Sequence, residues 1–187
     1  MASIIEIYEE CKANYEKLYK NIRGLAIVYE ALNKDSFSAD NCMIEFDIVL
    51  QYSLLQIACA DMNFSSDEME FIRRLTKSGD FVEFMNKQYD TDVTWEDLVE
   101  GSVETLRKVL KLHEDNIGEL AVNFGGIFAA FDSMTKTNYI DEFEEDVCKI
   151  ILGVASMDGE VTQDELDQDC LMLKLINFIR ETKEEMK

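Results

Sequence analysis

The sequence predicts an all-α protein, a single bundle of seven to eight helices with an internal helix–turn–helix repeat. Three observations predict it. The 187 residues contain no proline and only eight glycines, where average usage would supply about nine prolines. Apolar residues recur at helical spacing over long stretches. No stretch alternates apolar and polar residues in the manner of a half-buried strand. The whole chain, 1–187, is expected to form one domain, with a heptad-patterned helix over 1–35 and the repeat-bearing region over 40–183.

The first helix is predicted from about Ser3 to Asn33. Its stripe is Ile4, Tyr8, Cys11, Tyr15, Leu18, Ile22, Leu25, Tyr29 and Leu32. The steps of four and three residues are heptad spacing, which suits a seam against another helix of the same chain or against a second copy. Lys34 to Asp40 reads as a loop. The second helix, about Asn41 to Ala60, carries Phe46, Val49, Leu50, Ser53, Leu54, Ile57 and Ala58. It is apolar around much of its girth and should lie centrally. A third helix follows from Ser66 to about Lys77. Asp80 can cap a fourth, Phe81 to Tyr89, and Thr94 with Asp97 can cap a fifth, Trp95 to about Glu114. Ile117, Leu120, Ala121, Phe124, Ile127, Phe128 and Phe131 mark a sixth. Its Gly125-Gly126 pair costs roughly 1 kcal/mol per glycine, so a close helix approach or a kink is expected there. The seventh runs from about Asp141 to Met157, and the eighth from Gln163 to about Lys183.

Charge and cysteine usage bound the function. Eighteen basic residues against 39 acidic ones give a formal charge of −21, the wrong sign for gripping nucleic acid phosphates or anionic lipid. No run of about 18 uncharged apolar residues exists, so no membrane insertion is expected. At 47% apolar the chain has enough core-forming residues to fold. Cys11, Cys42, Cys59, Cys148 and Cys170 are odd in number and contain no CxxC pair. They are expected to be reduced, mostly buried thiols in a cytoplasmic protein. Met1 to Glu10 lacks the basic and apolar regions of a secretion signal.

Enzymatic signals are absent from the residues. His113, the one histidine, ends the stripe Val99, Val103, Leu106, Leu110 and reads as a packing residue near a helix C-terminus. No nucleophile with an orienting base, no zinc-ligand spacing and no phosphate-loop pattern occurs. The expectation is therefore a non-enzyme.

The most informative feature is a repeat at an offset of 97 residues. Ile57 to Met69 aligns with Val154 to Leu166, so that Asp61 falls on Asp158, Phe64 on Val161, Ser65 on Thr162, Asp67 on Asp164 and Glu68 on Glu165. Ser65 with Glu68, and Thr162 with Glu165, have capping-box spacing, and Phe64 and Val161 sit where a hydrophobic staple would fix the entry of the chain. Gly159 suits a left-handed residue at a helix end. Each copy thus reads as a helix, a tight turn and a capped helix. The same carboxylates are candidate ligands for a divalent cation, calcium or magnesium: Asp61, Asp67, Glu68, Asp158, Glu160, Asp164 and Glu165. An EF-hand is excluded, because its first position would be Val154 or Ile57. From Asp141 to Asp169 there are eleven acidic residues and only one basic residue, Lys149. That run reads as a solvated acidic face, a cation-attracting surface or a dock for a basic partner.

The repeated residues resemble the tellurite-resistance TerB-like family of small helical domains, whose members carry two copies of an A-x-A-D-G-x-apolar-S/T-x-x-E turn. The first copy matches at Leu54, Leu55, Ala58, Ala60, Asp61, Phe64, Ser65 and Glu68 and departs at Met62, where the family prefers glycine. The second matches at Ala155, Asp158, Gly159, Val161, Thr162 and Glu165 and departs at Met157, where the family prefers alanine. The resemblance implies an all-α bundle with pseudo-twofold repeats. It also implies an acidic, metal-associated scaffold or adaptor in bacterial stress-response or envelope-associated assemblies. A protein partner, basic in character, is expected. The alternative expectation is a metal-free interaction protein that forms a homodimer through the seam of the first helix.

Overall fold

A computed structural model describes residues 3–32, 37–77, 79–101, 124–157, 161–166 and 170–185. Every regular element among them is a helix, and no strand occurs. The helices are α1 (Ile4–Leu32), α2 (Ala39–Ala58), α3 (Ser66–Leu75), α4 (Phe81–Tyr89) and α5 (Trp95–Glu100). They continue with α6 (residues 124–135), α7 (Tyr139–Ala155), α8 (Gln163–Leu166) and α9 (Leu171–Glu185). No helix of the described residues is long and apolar enough to cross a membrane. The rest of the expected fifth helix, the start of the sixth and His113 lie outside the described residues.

One contiguous core draws on elements from α1 to α9. As expected, α2 is central: Phe46, Val49, Leu50, Leu54, Ile57 and Ala58 are all fully buried. A ladder of rings, Phe46–Phe124–Phe128–Phe143, runs through it with centroid separations of 5.7, 4.8 and 4.9 Å, tying α2, α6 and α7 at the spacing aromatic pairs favour. The α1 stripe packs most extensively on α7 and α2 of the same chain. Cys11, Tyr15, Leu18, Ile22 and Leu25 are buried there. The middle of the seam, Cys11 to Leu25, is therefore filled internally by α2 and α7, as in the first of the two expected arrangements, while Ile4 at its start is 50% exposed. The side chain of Leu32 lies outside the described residues.

Two glycines are explained by close helix approach. A Cβ on Gly125 would lie 2.8 Å from Leu175 Cδ1 and 3.0 Å from Phe178 Cδ1, so the expected close approach is that of α9 on α6. Gly126 faces open space. At Gly153 a Cβ would lie 2.1 Å from Cys11 Sγ, so α7 meets α1 across a bare backbone.

The fully buried polar residues of α2, Asp47, Gln51 and Ser53, anchor other elements. The Asp47 carboxylate accepts from Tyr15 Oη at 2.9 Å and from the Lys77 amide at 3.3 Å. The same amide donates to Tyr15 Oη at 2.7 Å. Gln51 accepts from the Phe81 amide at 2.5 Å and donates to Thr76 Oγ1. Ser53 Oγ accepts from the Met172 amide at 2.9 Å, and Gln56 Oε1 from the Leu171 amide at 2.8 Å. These bonds serve amides at the starts of α4 and α9, where helical donors have no partner of their own. They also explain why the expected eighth helix, Gln163 to Lys183, is observed as two segments. Cys170 is not helical, and α9 begins anew at Leu171 under caps supplied by α2. The remaining boundary differences are small. Ser38 caps α2, which starts at Ala39 rather than Asn41, and α7 starts at Tyr139, whose amide donates to Asp132 Oδ1. The predicted caps of α4 by Asp80 and of α5 by Thr94 and Asp97 are formed. None of the five cysteines forms a disulfide; Cys11, Cys42, Cys59 and Cys170 are buried and Cys148 is half-buried.

Candidate functional site

The first turn follows the end of α2. Asp61 is partly exposed and its Oδ1 accepts from the Asn63 amide at 2.8 Å, bracing the turn. Met62 has φ 69°, the left-handed region that costs a residue with a Cβ roughly 1–2 kcal/mol. A glycine is the residue that geometry favours, so the departure at Met62 leaves the shape of the turn intact. Phe64 is buried as the staple. The capping box is complete: Ser65 Oγ accepts from the Glu68 amide at 3.2 Å, and Glu68 Oε2 accepts from the Ser65 amide at 2.7 Å.

The second turn repeats the box. Thr162 Oγ1 accepts from the Glu165 amide at 3.2 Å, and Glu165 Oε2 accepts from the Thr162 amide at 2.8 Å. Val161, unlike Phe64, is 45% exposed, so the expected second staple is not buried. Asp158, Gly159 and Glu160 lie outside the described residues.

The repeat therefore divides its acidic residues by task. Glu68 and Glu165 are buried, at 2% and 3% exposure, with an oxygen turned to the amide of the cap residue. Asp67 and Asp164, one residue earlier, are exposed. Among the described residues no group of three or more potential ligands converges as a metal ion would require. A calcium ion asks for about six to eight oxygens.

This division predicts unequal effects. Glu68→Ala removes the acceptor of the part-buried Ser65 amide and is expected to cost about 1 kcal/mol, lowering Tm by about 2–4 °C. Asp67→Ala is expected to leave Tm within about 1 °C, as for surface substitutions generally. Thermal melts of both variants check this. Equal effects would contradict the division.

The acidic face of α7 is partly neutralised, by Lys149 of the same helix and by basic residues of α1 and α9. Lys17 Nζ of α1 lies 2.7 Å from both Glu142 Oε1 and Asp146 Oδ2. Lys149 lies 2.8 Å from Glu145 and 3.6 Å from Asp146. Arg180 of α9 pairs with Asp141 at 2.7 Å and with Glu144. The bonds to Asp146 and Glu142 raise the pKa of Lys17, and the Lys149 ammonium lowers that of Glu145. Asp141 to Asp146 is thus an ion-pair network that helps hold α1 and α9 on α7. Among these five carboxylates only Asp146 is buried; the side chains of Asp141, Glu142, Glu144 and Glu145 stay in contact with solvent. Two of the network's three basic residues, Lys17 and Arg180, are distant in sequence.

An open surface lies elsewhere. The start of α1, α3 and the end of α7 enclose a groove of about 310 Å³. Ile4, Ile5, Tyr8, Phe71 and Met157 supply its apolar walls, and Asp67, Glu70 and Arg74 its charged ones. Tyr8 meets Phe71 edge to face at 5.6 Å. Ile4 and Ile5 are 50% and 74% exposed, and Arg74 is paired with Glu70. The groove draws together the helix of the first repeat and, through Met157, the turn of the second. Of the predicted candidate residues it contains Asp67. Sequence reasoning missed Ile5, Phe71 and Met157. The available signal was the Ile4-Ile5 doublet, which places an isoleucine beside the heptad stripe where the seam does not need it. A separate cleft of about 460 Å³ lies between α1 and the start of α7, bordered by Asn21, Tyr139 and Glu142.

No family model matches the chain, and neither curated proteins nor solved structures match it.

Proposed function

We infer that this protein is a non-enzymatic, acidic helical adaptor of TerB-like kind that binds a basic protein partner at the face where its two repeats meet. The observation that carries the reading is the groove between α1, α3 and α7, in which exposed isoleucines stand beside Asp67 of the first repeat and Met157 of the second. A contiguous exposed apolar patch rimmed by charged residues marks an interaction site. The duplicated capping boxes and the left-handed residue at position 62 support the kinship of the two turns. The resemblance points to bacterial stress-response or envelope-associated assemblies as the setting. The adaptor role needs no bound cation, since Glu68 and Glu165 are spent as caps.

Photo-cross-linking tests the reading. A cross-linkable residue in place of Ile4 is compared with one in place of Gln88, an exposed residue of α4. In cells that make the protein, position 4 is expected to give a discrete adduct with a protein of basic isoelectric point, and position 88 is not. No adduct at position 4, or the same adducts at both positions, would overturn the adaptor reading.

A further inference from the structure

The occupant of the groove can be narrowed by shape and charge. A second copy of this chain would bring another −21 charges to the same place, and like charge opposes the approach. An anionic membrane is repelled for the same reason. A basic partner is attracted over distance and then needs an apolar side to satisfy Ile4 and Ile5. The groove is lined by two helices, α1 and α3, and by Met157, an adaptable thioether. Its volume of about 310 Å³ is at the lower limit of pockets that enclose a whole small molecule, and it suits a few side chains projecting from one face of a segment. The charged wall is net acidic, because Arg74 is balanced by Glu70 while Asp67 is exposed. Glu6, Glu9 and Glu10 of α1 are also exposed in the neighbouring sequence.

We propose that the groove receives a basic amphipathic helix, whose apolar stripe seats on Ile4, Ile5, Tyr8, Phe71 and Met157 while its lysines or arginines face Asp67. This deepens the adaptor reading and rests on it. The mode is helix-in-groove recognition, in which apolar anchors at helical spacing carry the affinity and charge sets orientation and approach rate.

The test uses two synthetic peptides of about 14 residues with one composition, leucine and lysine. In one the leucines follow i, i+3, i+4, i+7 spacing, and in the other the order is scrambled. Fluorescence anisotropy against the full chain reads their dissociation constants. The amphipathic peptide is expected to bind at least about tenfold more tightly than the scrambled one. Ile5→Asp is expected to abolish that advantage. This variant is diagnostic because it adds a negative charge, which by charge alone would strengthen binding of either peptide. Ile5 is exposed and in the first turn of α1, where an aspartate suits the helix dipole, so the variant should fold, as circular dichroism will show. Asp67→Lys is expected to weaken the amphipathic peptide and to reduce its salt dependence.

Equal affinity for the two peptides, with Ile5→Asp no weaker than the parent, would overturn the helix-in-groove proposal. Salt-sensitive binding of both peptides would then leave the acidic adaptor reading standing. Binding of neither would overturn both. An amphipathic preference lost in Ile5→Asp alongside a negative cross-linking result would sustain the groove's chemistry and remove the cellular role.

Discussion

Gly153→Ala is expected to lower the unfolding free energy by about 1–3 kcal/mol, the usual cost of overpacking a core, and Cys11→Ala is expected to recover much of that loss. The added Cβ would stand 2.1 Å from Cys11 Sγ, so the two helices must part or the thiol must move. Cys11 has little room to move, since it is 2% exposed and its thiol donates to the Lys149 carbonyl at 3.7 Å. With the sulfur removed, the nearest remaining atoms would be Ile7 Cγ2 at 3.5 Å and Cys11 Cβ at 3.7 Å, which are ordinary contacts. Urea unfolding of the parent, both single variants and the double variant closes the cycle. A coupling of about 1 kcal/mol or more in favour of the double variant is expected, within the range for residues in contact. Additive losses would mean that the α1–α7 contact is looser than described.

Asp47→Ala is expected to cost about 2–3 kcal/mol, as for leaving a buried neutral donor without its acceptor. Its carboxylate is fully buried and holds Tyr15 Oη and the Lys77 amide. Without it the buried Tyr15 hydroxyl loses its acceptor and a void is left beside α1, while the Lys77 amide keeps its bond to Tyr15 Oη at 2.7 Å. Burial first, and then the neighbouring Asp47 charge, push the Tyr15 phenol well above its ordinary pKa, so the tyrosine stays a donor throughout the physiological range. Tyr15→Phe should be milder, because the Lys77 amide keeps its bond to Asp47 at 3.3 Å; about 1–2 kcal/mol is expected. Chemical denaturation of the two variants checks the order. A Tyr15→Phe loss equal to that of Asp47→Ala would show the hydroxyl, and not the carboxylate, to be the hub.

Much of the fold is readable locally because helix signals are short-ranged. A capping box needs four residues, and Ser65 with Glu68, Thr162 with Glu165, and Thr94 with Asp97 all form as their spacing predicts. The α2 stripe and the middle of the α1 stripe, Cys11 to Leu25, bury the residues their periodicity selects, whereas Ile4 at the start of the α1 stripe stays 50% exposed. The break at Cys170 was not readable, since the side chains that cap α9, Ser53 and Gln56, are 119 and 115 residues away from the amides they serve. The pairing of the acidic run of α7 was not readable for the same reason. Its counter-charges Lys17 and Arg180 belong to helices at opposite ends of the chain.

The candidate site divides along the same line. The repeat marks Asp61, Asp67 and Glu68 as a unit, and Asp164 with Glu165 as its partner, because duplicated local geometry leaves a duplicated local pattern. Which carboxylate turns inward as a cap and which stays in water depends on packing against the core. That Ile4, Ile5, Phe71 and Met157 share one groove is decided by how α1, α3 and α7 cross. By itself the sequence determined helices, caps, the repeat and the excess of negative charge, all set by neighbours within a few residues. Which stripes are covered, which charges are paired and where apolar surface is left open follow from the crossing of the helices, because each depends on atoms brought together from distant parts of the chain.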